Sequence, residues 1–305
     1  MVSPHKKNNV NDTFQLEDPA LDEIVNNIAT LNIDILLHGE TGTGKDTLAE
    51  RIHCLSGRRG SFIAINCAAI PETLAESQLF GVTHGAFTGT VQSRAGFIEA
   101  SNMGTLYLDE IDSMPLTLQA KLLRVLETRG VERLGSTKLI ALDMRVIASA
   151  QTSLIDMVEQ GLFRRDLYFR LNVVSLNLPP LREKREQIIP LFMSLIQQEA
   201  EHFKSLAPIP DSSLLQQMVC HDWPGNVREL RSTAKRLVLG LLPISSGARE
   251  DADADMSLKF RLQQIEKLLI QDSLRRHLHS IDAVALELGI AKRTLYHRMK
   301  QLDIS

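Results

Sequence analysis

Short apolar runs alternate with longer segments of helical periodicity between Leu31 and Leu178. Each apolar run is four or five residues long, the pattern of a strand that is buried on both faces. The predicted strands are Ile33–Leu37, Phe62–Ile65, Thr105–Leu108, Arg145–Ala148 and Val173–Leu176, and Thr47–Leu55 and Leu116–Thr128 are among the predicted helices. Strands that alternate with helices indicate a parallel sheet covered on both faces, so we expect an α/β fold here.

Helical patterns dominate the rest of the chain. Pro179-Pro180 ends the alternation, and Glu186–Leu241 has the pattern of a small helical domain. Turn residues and like charges from Pro243 to Asp255 are typical of a flexible connector. The expected division is a disordered leader (1–13), an α/β core (14–180), a helical lid (181–242), a linker (243–257) and an all-α C-terminal domain (258–305).

Composition and charge narrow the class of protein. Hydrophobic residues make up 44% and charged residues 23% of the chain, as in ordinary globular proteins. No apolar run suits a membrane helix or a signal peptide, and three scattered cysteines argue for a reducing compartment without a metal site. We therefore expect a cytoplasmic protein. The net charge is −3, but the last 47 residues carry a surplus of +4, a hint of nucleic-acid contact.

A glycine-rich loop follows the first predicted strand and opens a helix. In this context backbone N–H groups wrap phosphates, and Lys45 would place a positive charge on them. The candidate nucleotide-binding residues are Gly39, Glu40, Thr41, Gly42, Thr43, Gly44, Lys45, Asp46 and Thr47. Asp46 stands where a Ser or Thr usually binds Mg²⁺, which puts that ligand in doubt. Taken alone, the loop is a weak signal; a Gly-rich turn before a surface helix is the alternative, and the strand-loop-helix context makes it the less favoured one.

Two carboxylates end the third predicted strand. In this pattern Asp109 would hold Mg²⁺ and Glu110 would orient or deprotonate an attacking water. Exposed acids at the end of a strand are the alternative. Because the pair follows the glycine loop by some 65 residues, the two motifs together favour an ATPase.

The end of the chain has the pattern of helix, tight turn and helix. The predicted helices are Ile281–Leu288 and Ala291–Leu302, joined at Gly289-Ile290. Apolar positions in the second helix would face the first, which leaves an outward set suited to phosphates and base edges. That set is Lys292, Arg293, Thr294, His297 and Arg298. A generic charged helical hairpin is the alternative.

Six residues between the two nucleotide motifs carry a family resemblance. The segment Gly85, Ala86, Phe87, Thr88, Gly89 and Thr90 resembles the GAFTGA loop of bacterial enhancer-binding proteins, the AAA+ ATPases that activate sigma-54 RNA polymerase. Only its last residue differs, Thr for Ala. The resemblance runs from about Asp18 to Ser305 and includes an acidic residue at position 46. In the family this loop contacts the sigma factor, so an ordinary β-turn is the less favoured interpretation.

The resemblance implies further site residues and two cofactors, ATP and Mg²⁺. Asn66 matches the asparagine that pairs with the catalytic glutamate. Arg164 and Arg170 match arginine fingers that act in the neighbouring subunit's site, and Arg228 matches the sensor II arginine of the lid. The fold implied is an AAA+ core with a helical lid and a Fis-type helix-turn-helix.

The sensor I segment departs from the family pattern. Where the family usually has Ala-Thr-Asn, this chain has Ser149-Ala150-Gln151. Ala150 cannot replace a threonine hydroxyl, although the Gln151 amide can still donate a hydrogen bond. We expect ATPase activity that is slow or dependent on a partner.

The resemblance implies a hexamer of identical or related subunits that binds enhancer DNA and remodels sigma-54 RNA polymerase. Short members of this kind regulate type III secretion (hrp) genes in plant-associated bacteria. Fewer than 20 residues precede the match, so we expect no receiver domain, and either constitutive activity or control by synthesis, degradation or an inhibitory protein bound in trans. Two alternatives stay open: an ATP-binding repressor or scaffold without remodelling activity, which Ala150 favours, and an AAA+ remodeller of another protein, which would not need the loop or the DNA-binding tail.

Overall fold

The computed structural model describes residues 19–86, 92–241, 270, 273–274, 277 and 280–302. The chain divides into two compact units, Met1–Pro243 and Ile244–Ser305. The expected leader (1–13) and linker (243–257) lie outside the described residues. No helix in the described ranges is long and apolar enough to span a membrane.

A five-stranded parallel sheet forms the centre of the first unit. The strands of the described ranges are β1 (Ile35–His38), β2 (Phe62–Asn66), β3 (Gly81–Val82), β4 (Arg94–Ala95), β5 (Thr105–Asp109), β6 (Gly130–Glu132), β7 (Leu139–Ala141), β8 (Arg145–Ala150) and β9 (Val174–Asn177). The five strands of the parallel sheet lie in the order β2-β5-β8-β1-β9. The five predicted strands are therefore confirmed, each within two residues at either end. Their carboxyl ends meet at one edge, where the glycine loop and the Asp109-Glu110 pair lie.

Helices cover both faces of this sheet. They are α1 (Pro19–Ala29), α2 (Lys45–Leu55), α3 (Glu72–Phe80), α4 (Phe97–Ala100), α5 (Leu116–Thr128), α6 (Leu154–Glu159) and α7 (Arg165–Leu171). One apolar cluster joins β5 and β8 to α3, α5 and α7, and a second joins β1 to α1 and α2. A sheet buried on both faces explains why its strands are almost wholly apolar.

Arg145 ties α1 to the amino end of β8. Its side chain is fully buried, and its guanidinium donates to the backbone oxygens of Ile28, Ala29 and Ile33. Two of these carbonyls belong to the last turn of α1, where helical partners are absent and a cation is favourable. Burial lowers the pKa of Arg145 to about 10.

Two small antiparallel hairpins stand beside the main sheet. β3 pairs with β4, and β6 pairs with β7. They are linked where the backbone N–H of Leu134 donates to Gly81 and the N–H of Thr83 donates to Leu134. The segment 83–93 that joins β3 to β4 is thereby anchored at its base.

Three helices form the lid that follows the sheet: α8 (Arg185–Phe203), α9 (Ser212–Cys220) and α10 (Asn226–Val238). α8 packs against α9 and α10, and its buried face includes Leu191, Phe192 and Leu195. The segment predicted as a helical domain, 186–241, thus corresponds to these three helices.

The second unit contains the helix pair α11 (Ile281–Glu287) and α12 (Lys292–Gln301). The turn between them passes through Gly289, whose positive φ of 63° is accessible to glycine without steric strain. Leu295 and Leu302 are buried against Val284 and Ala285, and Ile290 and Met299 pack beside them. The predicted helix-turn-helix and its apolar face are confirmed.

Candidate nucleotide site and partner surfaces

The glycine loop connects β1 to α2 and holds Lys45 at the first position of that helix. Lys45 is only 6% exposed, and its ammonium donates to the backbone oxygens of Gly39 (2.7 Å) and Glu40 (3.0 Å). No side chain caps α2, whose N-cap residue is Gly44. Free N–H groups and a buried cation at one helix start form a site that attracts phosphate.

Carboxylates surround this lysine. Burial lowers the pKa of Lys45, while the charges of Asp109, Asp46, Asp112 and Glu110 act in the opposite direction. Predicted members of the glycine loop and of the Asp109-Glu110 pair are thus brought together at the carboxyl edge of the sheet.

Asp109 is held at both carboxylate oxygens. Ser149 donates to Oδ1 at 2.6 Å, and Asn66 donates from Nδ2 to Oδ2 at 3.0 Å. The hydroxyl of Tyr107 lies 3.3 Å from Oδ1 and 2.7 Å from Oδ1 of Asp46. The contacts of Tyr107 and Ser149 were not predicted from the sequence. A tyrosine in an otherwise apolar buried strand was the available signal, because its hydroxyl needs a partner.

Glu110 has a different partner from the one expected. Asn66 donates to Asp109, so the predicted pair of Asn66 with Glu110 is not formed. Instead, Gln151 donates from Nε2 to Oε1 of Glu110 at 2.8 Å, and Gln151 accepts from the hydroxyl of Thr41 at 2.5 Å. The reason is geometric, since neighbouring β2 and β5 are in register at Asn66 and Asp109. Gln151 directly follows the last residue of β8, and its longer side chain reaches Glu110 from there.

The backbone of Glu110 adopts a positive φ of 53°. For a residue other than glycine this conformation is costly, and such residues cluster at functional sites. The N–H of Glu110 donates to the Ser149 hydroxyl at 3.2 Å, which supports the conformation.

The donor set is suited to Mg²⁺. This ion is commonly bound through one or two carboxylates together with substrate phosphates and waters. Asp109 lies beside Lys45 and the start of α2, where phosphates would be bound. No group of three or more His, Cys, Asp and Glu side chains that could hold a metal occurs in the described ranges.

The lid docks directly onto the glycine loop. Asn226, at the start of α10, is fully buried and donates from Nδ2 to the backbone oxygen of Thr41 and to Glu40. Its Oδ1 accepts from the N–H of Leu181 at 2.7 Å. Arg182 forms two hydrogen bonds with Glu40, and this contact lowers the pKa of Glu40 to about 2.

Arg228 is exposed on the first turn of α10 beside the loop. A methyl group added at Gly42 would come within 2.2 Å of the backbone oxygen of Gly225 and 3.1 Å of Cβ of Arg228. The predicted sensor II residue is therefore adjacent to the loop that it is expected to serve.

The two predicted arginine fingers do not contact the nucleotide residues of their own chain. Arg164 is exposed and pairs with Asp166, whose carboxylate accepts two hydrogen bonds from it. Arg170 donates to Asp34 and to the backbone oxygen of Leu126. Asp34 is 1% exposed and precedes β1, so it lies at the edge of the sheet opposite to the glycine loop.

Only the base of the predicted sigma-54 loop lies within the described residues. Gly85 has a φ of 77°, and Ala86 donates its N–H to Thr83 at 3.2 Å. The predicted contacts Phe87, Thr88, Gly89 and Thr90 lie outside the described residues. The antiparallel pair of β3 and β4 forms the stem on which the loop is carried.

The five predicted DNA-binding side chains, Lys292, Arg293, Thr294, His297 and Arg298, are all exposed on α12. Lys292 forms an ion pair with Asp282 of α11. Tyr296 is also 60% exposed on this helix, although it is not among the predicted DNA-binding residues. A helix with one buried stripe and a basic outer face is suited to a DNA groove.

Comparisons with known proteins agree with this arrangement. Residues 16–177 match the Sigma-54 interaction domain, residues 182–241 match the AAA+ ATPase lid domain, and residues 261–302 match the Fis family of bacterial regulatory proteins. The chain therefore belongs to the family of sigma-54-dependent transcriptional activators, which combine an AAA+ ATPase domain with a DNA-binding helix-turn-helix.

Individual relatives and solved structures extend the match over most of the chain. The chain is 59% identical to "Pathogenicity locus probable regulatory protein HrpR" of Pseudomonas syringae pv. syringae, over 93% of this chain and 90% of that protein. It is 59% identical to the HrpS protein of the same organism, over 94% and 95%. The crystal structure of NtrX from Brucella abortus in complex with ATP is 29% identical, with a TM-score of 0.76 over 96% of this chain and 71% of that chain.

Proposed function

We propose that this activator hydrolyses ATP and uses the energy to convert the closed complex of sigma-54 RNA polymerase into the open complex. The observation that carries the proposal is the cluster of Lys45, Asp109 and Glu110 at the start of α2. It combines a phosphate-binding helix start, a metal-binding carboxylate and a base for water in one small region. The ATP bound to the related NtrX structure supports the choice of nucleotide.

Each residue of the cluster has a separate chemical task. Lys45 and the N–H groups of α2 would bind the β and γ phosphates, and Arg228 would approach them from the lid. Asp109 would hold Mg²⁺, which neutralises phosphate charge when bound. Glu110 would orient the attacking water and accept its proton. The hydrogen bond from Gln151 would keep Glu110 aligned until nucleotide binds.

Hydrolysis by this route requires a ring of subunits. Arg164 is exposed and can stabilise negative charge on a phosphoryl group in a neighbouring chain. Arg170 has intramolecular partners, so its action in trans would require release from Asp34. We infer a hexamer, formed either from this chain alone or with a related subunit.

The loop from Gly85 to Thr90 would contact sigma-54, and its stem on β3 and β4 lies between α3 and the second hairpin. A change of Thr88 to Ala tests this role. We expect the variant to hydrolyse ATP at the wild-type rate but to yield no transcript from a sigma-54 promoter in a purified system. Normal transcription by the variant would contradict the assignment.

The outer face of α12 would bind enhancer DNA upstream of the promoter. Because HrpR and HrpS are described as pathogenicity locus regulators, we infer type III secretion (hrp) genes as targets. An inhibitory protein bound in trans would be one means of control. We also propose the division of the chain at residues 13, 180, 242 and 257 that the sequence predicts.

A second candidate is a repressor or scaffold that binds ATP and DNA without remodelling. Ala150 favours it, since the expected sensor I hydroxyl is absent at that position. Phosphate release by the purified protein separates the two candidates. ATP binding without turnover, with and without a related subunit, would support the second candidate.

A further inference from the structure

Two buried hydroxyl groups form hydrogen bonds with the carboxylates beside Lys45. Tyr107 is 2% exposed and lies within β5, with its hydroxyl directed to the carboxyl edge of the sheet. A phenol has a single proton to donate, and the 2.7 Å contact with Asp46 is much shorter than the 3.3 Å contact with Asp109. Tyr107 therefore donates to Asp46 and fixes the orientation of that carboxylate.

Ser149 performs the corresponding task for Asp109. It is fully buried in β8, donates to Oδ1 of Asp109 at 2.6 Å and accepts from the N–H of Glu110. The hydroxyl that is missing at Ala150 is thus present one residue earlier.

Asp46 and Asp109 thereby both lie close to one phenol oxygen, at 2.7 Å and 3.3 Å. Oδ2 of Asp46 accepts no hydrogen bond from any described residue and is free to bind a cation or its water. Two carboxylates so close together repel each other unless a cation lies between or beside them. Lys45 supplies one positive charge, and four acidic residues surround it.

We propose that Tyr107 and Ser149 are positioning residues that hold Asp46 and Asp109 as a pair of carboxylates for Mg²⁺ in the nucleotide complex. Asp46 then replaces the hydroxyl that glycine loops usually contribute to this ion. The inference rests on the proposed ATPase function, because it concerns the same site.

The test measures how nucleotide affinity depends on Mg²⁺. A fluorescent ATP analogue is titrated into the full chain at a series of MgCl₂ concentrations and in EDTA. Tyr107→Phe and Ser149→Ala each remove one hydroxyl, and Asp46→Asn removes one charge. Tyr168→Phe and Ser101→Ala are matched controls, since their hydroxyls contact Asn172 and the backbone oxygen of Ile98 instead.

We expect each site variant to raise the MgCl₂ concentration for half-maximal affinity by about tenfold, since a hydrogen bond to a charged group contributes about this factor. Affinity in EDTA and the response of both controls should equal those of the wild type. A Mg²⁺ dependence that is unchanged in Tyr107→Phe would overturn the inference. That variant loses one oxygen atom and decides the matter even if Ser149→Ala does not fold.

The same titration distinguishes a failure of the proposed ATPase function from a failure of this inference. A wild-type protein that binds no nucleotide at any MgCl₂ concentration would contradict the ATPase assignment. A wild-type protein that binds tightly, with variants that respond to Mg²⁺ as it does, would contradict only the role of Tyr107 and Ser149.

Discussion

Glu110 illustrates how much of the proposed chemistry depends on single side chains. Its backbone is held in a positive φ, and its carboxylate accepts a hydrogen bond from Gln151. Because costly backbone conformations are frequent at functional sites, this one supports the proposed role of Glu110 as a base.

A change of Glu110 to Gln should separate binding from hydrolysis. Glutamine retains the size of the side chain but cannot accept a proton, so the rate of phosphate release should fall by at least about 100-fold. The affinity for ATP should remain within about threefold of the wild type. Glu127→Gln, on the exposed face of α5, serves as the control. A rate in Glu110→Gln equal to that of the control would show that another group acts as the base.

At the residue scale, the sequence predicted which residues lie in the site better than it predicted their hydrogen-bond partners. Lys45, Asp109 and Glu110 lie together as the motifs indicated, because the carboxyl ends of parallel strands meet at one edge. Asn66 contacts Asp109 instead of Glu110, since strand register determines which side chains are opposite each other. Register and side-chain reach are tertiary properties, so the motif alone could not reveal that Tyr107 contacts Asp46 or that Ser149 contacts Asp109.

At the scale of elements, the lid contacts the glycine loop directly. Nucleotide binding at the loop and the position of the lid should therefore depend on each other. The start of α10 touches the loop at Gly42, and Asn226 and Arg182 contact Glu40. Any movement of the lid therefore alters the backbone that would hold the phosphates.

A change of Gly42 to Ala should weaken nucleotide binding by displacing α10. The added methyl group would approach the backbone oxygen of Gly225 to 2.2 Å, a distance that requires movement. We expect the dissociation constant for ATP to rise at least about tenfold, a change of about 1.4 kcal/mol.

Gly57→Ala is the matched control for Gly42→Ala. Gly57 also has a positive φ, of 69°, but its added methyl group would have nothing within 4 Å. It should cost about 1–2 kcal/mol in the free energy of unfolding and leave ATP affinity unchanged. Equal ATP affinities in the two variants would show that the contact with α10 does not govern binding.

Element types and boundaries were largely predictable for the sheet and for the helix-turn-helix. Apolar runs of four or five residues identified all five strands of the main sheet, and α5 has the predicted bounds of Leu116–Thr128. The two small hairpins were not predicted, because β3 and β4 have only two residues each and carry no periodicity. Their pairing depends on contacts between distant segments, such as Leu134 with Gly81.

At the scale of the whole molecule, a single chain lacks one part of the proposed site. Arg164 contacts Asp166 and Gln119, and none of the nucleotide residues of its own chain is among its partners. The proposed action of Arg164 in trans would account for this placement.

Mixing two inactive variants tests action in trans. Lys45→Ala should lose nucleotide binding but keep its finger, whereas Arg164→Ala should bind ATP and hydrolyse it about 1000-fold more slowly. Because a mixed ring contains working sites beside working fingers, the mixture should regain a measurable part of the wild-type ATPase rate. An activity no greater than the sum of the separate variants would argue that Arg164 does not act in trans.

The most direct test of the central claim is open-complex formation by sigma-54 RNA polymerase on a target promoter, detected by permanganate reactivity of unpaired thymines. The purified protein with MgATP should open the promoter, alone or with a related subunit, and Lys45→Ala under the same conditions should not. Equal opening by both proteins would contradict an ATP-driven activator. The absence of opening by the wild type in every subunit combination, with promoter DNA bound, would favour the repressor or scaffold instead.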